Sequence, residues 1–183
     1  MHQAKEAYIR TDAGTDLVMS INNRTPHVLD GIVKGPGTFA AMPDGETAIS
    51  PVEETTEGTL VIEHSMDGIG LLDEPIHLKV IKGRVISIEG GQSAQMLQEL
   101  VDQSDKDANN IAEFAIGTNP KARLIGNLAE DKKLEGSVHI AIGDNHVLGG
   151  NITSNIHLDG MVLNPTVKLD GKCIISNGKL QLE

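Results

Sequence analysis

A chain of 183 residues can bury a proper core as one domain, and with no Trp, one Tyr and two Phe that core must be built from Ile, Leu, Val and Met. The 26 acidic side chains outnumber the 15 basic ones, giving a formal net charge of −11 and no basic stripe, which argues against nucleic acid as a partner. No apolar run reaches the roughly 18 residues a membrane helix needs, and the opening MHQAKEAYIR lacks the apolar stretch of a signal peptide.

Tyr8 to Thr11 and Leu17 to Ile21 read as two strands around the Ala13-Gly14 turn, and Thr25 to Gly37 reads as loop, with Pro26, Asp30-Gly31 and Gly35-Pro36-Gly37. Thr47 to Ser50 and Thr59 to Glu63 are strands on either side of an acidic stretch, Glu53 to Gly58. Ile76 to Ile81 and Arg84 to Glu89 alternate apolar and polar residues around Lys82-Gly83, the pattern of a hairpin. After Gly90-Gly91, residues Met96, Leu97, Leu100 and Val101 fall at helical spacing, which predicts a helix over Ser93 to Asp102 with Ser93 as N-cap. Asp105 to Asn110 is polar throughout and either extends that helix or makes a second short turn. Strands resume at Ile111 to Ile116, Ser137 to Ile142 and Ile156 to Leu163. The tail closes with Thr166 to Leu169, Lys172 to Ile175 and Lys179 to Leu182, separated by the Asp170-Gly171 and Asn177-Gly178 turns. Cys173, the single cysteine, precludes an internal disulfide, reads as a small buried hydrophobe, and fits a reducing, cytoplasmic compartment. No repeat, low-complexity tract or long linker divides the chain, so the expectation is one α+β, β-rich domain: a curled mixed sheet or barrel-like body with one main helix.

Four of these strands carry or open on residues with chemistry. Side chains in a strand alternate faces, so His157 and Asp159 project together. In the preceding strand Val138, Ile140 and Ile142 take one face, and His139 shares the other with Ala141 and Gly143. Two strands thus present a packed face and a sparse face bearing an imidazole, and the second adds a carboxylate, a donor set that suits a metal ion. Glu113 is a lone acid in the apolar strand IAEFAI; buried, it must be paired, protonated or metal-bound. Pairing with Lys121 or Arg123 is the alternative to ligation. Glu46, opening a strand with Ala48 and Ser50 on its own face, is either a ligand or a solvated turn residue. Three carboxylates and two imidazoles would offset much of the charge of two divalent ions bridged by water. His2, His27, His64 (with Asp67 three residues on) and His77 lie in less favourable settings and read as non-ligands.

Four strings in order carry a family resemblance: GETAISP (Gly45 to Pro51), AEFAIGTNP (Ala112 to Pro120), GNLAEDKKLEGSVHIAIGDN (Gly126 to Asn145) and IHLDGMVLNPTV (Ile156 to Val167). Together they resemble the carboxyl-terminal metal-binding part of the thermophilic metallo-aminopeptidases, the aminopeptidase T type of leucyl aminopeptidase. The resemblance implies a two-metal site of Glu46, Glu113, His139, His157 and Asp159, filled by Zn, Co or Mn and activating water against a peptide carbonyl. It also implies a homodimer and an amino-terminal domain to which nothing here corresponds. Where the aminopeptidases carry a tyrosine seven residues after the first histidine, this chain has His146, which would assist as a proton donor. GDN followed by Gly149-Gly150 also resembles a related branch, the 2,5-dihydroxypyridine dioxygenases, which implies a single Fe(II) on His139, His157 and Asp159 with Glu46 and Glu113 as supporting or base residues. The expected substrate is accordingly a short peptide or a small molecule. A third expectation is a non-catalytic domain in which a metal acts only as a structural clip.

Overall fold

Alternating apolar residues, broken by short turns, organise most of this chain. In the computed structural model, which describes residues 1–181, the chain begins with β1 (Glu6–Arg10), β2 (Asp16–Ser20), β3 (His27–Leu29), β4 (Glu46–Ile49) and β5 (Glu57–Ile62). The short β6 (Ser65–Met66) and β7 (Gly70–Leu71) precede β8 (Ile76–Ile81), β9 (Arg84–Glu89) and helix α1 (Gln92–Asp102). Then come β10 (Ile111–Gly117), the one-turn helix α2 (Leu128–Asp131), β11 (Val138–Gly143), β12 (His157–Val162), β13 (Thr166–Leu169), β14 (Lys172–Ser176) and β15 (Lys179–Leu180).

The α+β class and the single main helix are as expected, but the strands form two sheets that do not close into a barrel. One runs β15-β14-β13-β1-β2-β5-β8-β9 and the other β3-β4-β10-β11-β12-β6-β7. Their strand pairs are antiparallel rather than mixed, in keeping with the short turns between many neighbouring strands. Ile49, Phe114, Ile116, Val138, Ile140 and Ile142 from the second sheet join Ile9, Leu17, Met19, Leu60 and Ile62 from the first in one core. Gly160 of β12 lets the sheets approach closely, because a Cβ there would lie 2.6 Å from Ile62 Cδ1.

Several local expectations need correction. Ser93 is not the N-cap of α1: the helix opens one residue earlier, and Asp73, distant in sequence, accepts from the backbone N–H of Ser93 (2.8 Å) and Gln92 (3.0 Å). Residues 105–110 do not continue α1, because the Asp105 carboxylate turns back to accept from Asp107 N–H and from Asn155 N–H and the Ser154 hydroxyl. The loop expected over Thr25 to Gly37 contains the edge strand β3, so His27 is a strand residue paired with Ala48. Cys173 is only half-buried, with its thiol donating to the Ile175 carbonyl. Leu182, expected in the last strand, lies outside the described residues. Among the described residues no helix is long and apolar enough to cross a membrane.

Candidate metal centre

Because Phe114, Ile116, Val138, Ile140 and Ile142 are committed to the core, strand alternation turns Glu113, Ala115, His139 and Ala141 to the other face of the second sheet. Antiparallel register then sets Ala115 opposite His139, Ala141 opposite Asp159, and Gly143 opposite His157. Small residues thus alternate with the large polar ones and leave room for them. Glu46 enters from β4, opposite Gly117.

The five residues anticipated as ligands converge there. Glu113 bridges both imidazoles, with His139 Nε2 3.1 Å from Oε1 and His157 Nε2 3.0 Å from Oε2. His157 Nε2 lies 3.3 Å from Asp159 Oδ1, and His139 Nε2 lies 3.8 Å from Glu46 Oε2. Glu46, Glu113, His139 and Asp159 are buried, whereas the His157 side chain retains 29 % of its exposure and marks the side from which the cluster is reached. The alternative pairing of Glu113 with Lys121 or Arg123 is not found; the Arg123 guanidinium lies 3.8 Å from Glu130 instead.

Charge is concentrated enough to move the titration of Glu113, Asp159, His157 and His139. Burial opposes ionisation of Glu113, but hydrogen bonds from His139 and His157 hold its carboxyl well below the usual range. Asp159 is likewise held far down: burial works against it, and the charge of His139, the adjacent His157 imidazole and the charge of Lys132 win. Burial would lower the His157 imidazole, yet the adjacent Asp159 carboxylate and the hydrogen bond to Glu113 raise it to about 11. His139 moves up for the same reason, against complete burial, through Asp159, Glu113 and Glu46.

The residues fit a cation. Donor atoms of Glu113, His157 and Asp159 all lie within 4.8 Å of one another. Glu46 Oε2, Asp159 Oδ1 and His139 Nδ1 are buried without a hydrogen-bond partner among the described residues, and each such atom costs about 1–3 kcal/mol unless something satisfies it. A cation between the carboxylates would satisfy the two oxygens. His157 Nδ1 donates to the Asp144 carbonyl at 2.7 Å, which fixes the tautomer and turns Nε2 into the cluster, the usual outer support of a metal-binding imidazole.

His146 stands apart. It opens a short 3-10 turn (His146–Leu148), is exposed, and its ring makes no hydrogen bond or ion pair among the described residues; only its backbone N–H is held, by Asp144. His64 pairs with Asp131 at 3.5 Å rather than with the cluster, while Asp67 reaches the rim by accepting from Asp159 N–H at 3.3 Å. Sequence reasoning missed two residues outright. Lys132 Nζ sits 2.5 Å from Asp159 Oδ2, and Lys133 Nζ sits 2.6 Å from Glu46 Oε1 and 3.3 Å from Asp44 Oδ1. The signal available was charge compensation: three buried carboxylates require cations, and the adjacent lysines lie inside one of the recognised strings.

Fold and site together define an α+β domain with a buried imidazole–carboxylate cluster, suited to a cation, on the outer face of one of two antiparallel sheets. The family model for NicX, 2,5-dihydroxypyridine 5,6-dioxygenase, matches residues 1–182, and the chain belongs to that family. A curated 2,5-dihydroxypyridine 5,6-dioxygenase from Pseudomonas putida is 25% identical over 191 residues, covering 97% of this chain and 55% of the relative. The solved structure of the Pseudomonas putida 2,5-dihydroxypyridine dioxygenase superposes with a TM-score of 0.89 at 24% identity, over 100% of this chain and 56% of that one. Wild-type AmpT from Thermus thermophilus superposes with a TM-score of 0.79 at 21% identity, over 98% of this chain and 50% of that one. The chain therefore spans about half the length of the relatives it matches. The aminopeptidase resemblance, taken first from the sequence, holds at the level of fold; family membership lies with the dioxygenase branch.

Proposed function

We propose that this chain is the metal-binding domain of an Fe(II)-dependent ring-opening dioxygenase acting on 2,5-dihydroxypyridine or a closely related dihydroxylated ring. The family match along residues 1–182 carries this reading, and the cluster geometry supports it. His139, His157 and Asp159 would hold the iron, a two-imidazole, one-carboxylate set that leaves positions free for substrate and oxygen. Bound iron would supply the one-electron chemistry that lets dioxygen react with an electron-rich ring. Glu113, whose Oε2 lies 3.0 Å from His157 Nε2, would support that ligand from outside or act as a base toward the ring. The Asp144 carbonyl keeps His157 oriented, and buried Glu46 balances charge at the rear of the cluster. A reducing cytoplasm would keep the iron ferrous.

The test is to load the protein with Fe(II) anaerobically, then follow oxygen consumption with 2,5-dihydroxypyridine and, separately, leucine release from a leucyl substrate. Oxygen uptake with loss of the ring chromophore and no leucine release is expected. Leucine release with two ions per chain would restore the hydrolase reading. One bound iron with neither activity, and a melting temperature that falls on chelation, would make the metal a structural clip.

A further inference from the structure

The residues that no ligand pattern anticipated, Lys132 and Lys133, engage different carboxylates of the cluster. Lys132 closes α2, and its ammonium group engages Asp159 Oδ2 at 2.5 Å, leaving only the buried Oδ1 of that carboxylate without a hydrogen-bond partner. Lys133, almost fully buried, engages Glu46 and Asp44. This segment is built in. Asp131 is inaccessible and accepts from the Ser65 hydroxyl and the Ile125 N–H, both at 2.8 Å, while the Lys133 carbonyl accepts from Asn119 N–H at 2.9 Å. Gly117 admits the segment against β10, since a Cβ there would lie 2.1 Å from the Leu134 carbonyl oxygen.

We infer that Lys132 is a positioning residue that limits the centre to one metal ion, by holding Asp159 to ligation through a single oxygen and by supplying positive charge where a second ion would bind. The inference rests on reading the cluster as a metal centre. The Lys132 ammonium offsets the charge of Asp159 at Oδ2, and Lys133 does the same for Glu46 and Asp44. Without the Lys132 ammonium one more negative charge is left uncompensated beside Asp159, and Asp159 Oδ2 becomes free to reach a second cation. Lys132 therefore separates a one-metal centre from a two-metal centre built on the same five ligand-type residues. Its side chain retains 24 % of its exposure, so it can be replaced without opening the core.

The test uses Mn(II) alone, with bound metal counted by equilibrium dialysis and elemental analysis and the ion's surroundings read by electron paramagnetic resonance. The unaltered chain is expected to take one Mn(II) with the spectrum of an isolated ion. Lys132→Met and Lys132→Gln, with circular dichroism confirming the fold, are expected to take a second ion and show an exchange-coupled pair, and Lys132→Arg to return to one. Neutral variants that bind one isolated ion, or none, overturn the role of Lys132 and leave the metal centre standing. An unaltered chain that takes two ions overturns the inference whatever the variants do, and one that takes none overturns the metal centre itself.

Discussion

Two histidines flank the turn after β11, and their surroundings assign them different work. His157 has Nδ1 fixed on the Asp144 carbonyl and Nε2 between Glu113 and Asp159, whereas the His146 ring is exposed and unpartnered among the described residues. Losing a residue that merely supports a metal ligand costs about 10–100-fold in affinity, so His157→Ala is expected to weaken metal binding by more than about 100-fold by titration calorimetry. His146→Ala should leave that affinity unchanged and turnover within about tenfold. A positioned proton donor is worth roughly 10²–10⁴, so a larger loss of oxygen uptake would place His146 in the reaction. Alternation was enough to read His139, His157 and Asp159 from the sequence, and the isolation of Glu113 in an apolar strand flagged it. Face sharing with Ala48 and Ser50 raised Glu46 too but left a solvated turn residue open, since one acid after a turn looks the same whether solvated or buried. Lys132 and Lys133 were signalled only by charge compensation, because a two-lysine run is usually a solvated surface and it is the approach of residues 132–134 to β10 that takes them inside.

The strands most regular in pattern, β8, β9 and β11, were the most legible elements, while the two-residue strands β6 and β7 are too short to carry a period. The start of α1 was misread because its support comes from another element. Asp73 accepts from two N–H groups of the first turn and Ser93 Oγ accepts from Asp73 N–H in return, a long-range counterpart of a capping box. The side-chain hydrogen bond with Ser93 and the backbone N–H bonds hold the Asp73 carboxyl at about 2. Since this folded value is below the unfolded one, the contribution is present above the ordinary carboxylate pKa and is lost as pH falls through about 2. Asp73→Asn should therefore lower the melting temperature at neutral pH, and the gap to the unaltered chain should close in thermal melts between pH 4 and pH 2. A gap that persists at pH 2 would contradict this. Gly160 sets the other element-level constraint. A methyl group there meets Ile62 Cδ1, Cγ1 and Cγ2 within 3.0 Å in a closed core, so Gly160→Ala is expected to cost about 1–3 kcal/mol in denaturant unfolding. Adding Ile62→Val should recover part of that loss, and full additivity of the two substitutions would show that the contact does not set the sheet spacing.

At the scale of the molecule, sheet pairing was the least legible feature, because no local pattern says that β1, besides its hairpin partner β2, also pairs with β13, far along the chain. Packing of the two sheets on each other buries one face of each, so the polar cluster is forced onto the other face of its sheet, where its charge couples metal binding to stability. Without metal, His157 keeps its proton up to about 11 through Asp159 and Glu113. A raised histidine pKa contributes stability that is fully present below its unfolded value near 6.5 and is lost as pH rises toward 11. Metal ligation needs the neutral imidazole, so each ion bound must displace a proton, and affinity must rise over the same interval. The chelator-treated protein is thus expected to lose stability as pH rises from 7 to 10, while the increment given by added metal grows. At a hundred times the dissociation constant that increment is about 2.7 kcal/mol, or roughly 5–10 °C in melting temperature for a domain of this size. Thermal melts with chelator or with Mn(II) across this pH range, together with proton release measured by calorimetry in buffers of different ionisation enthalpy, would check it. An increment that is flat with pH and a binding reaction that releases no protons would mean that the imidazoles are not ligands.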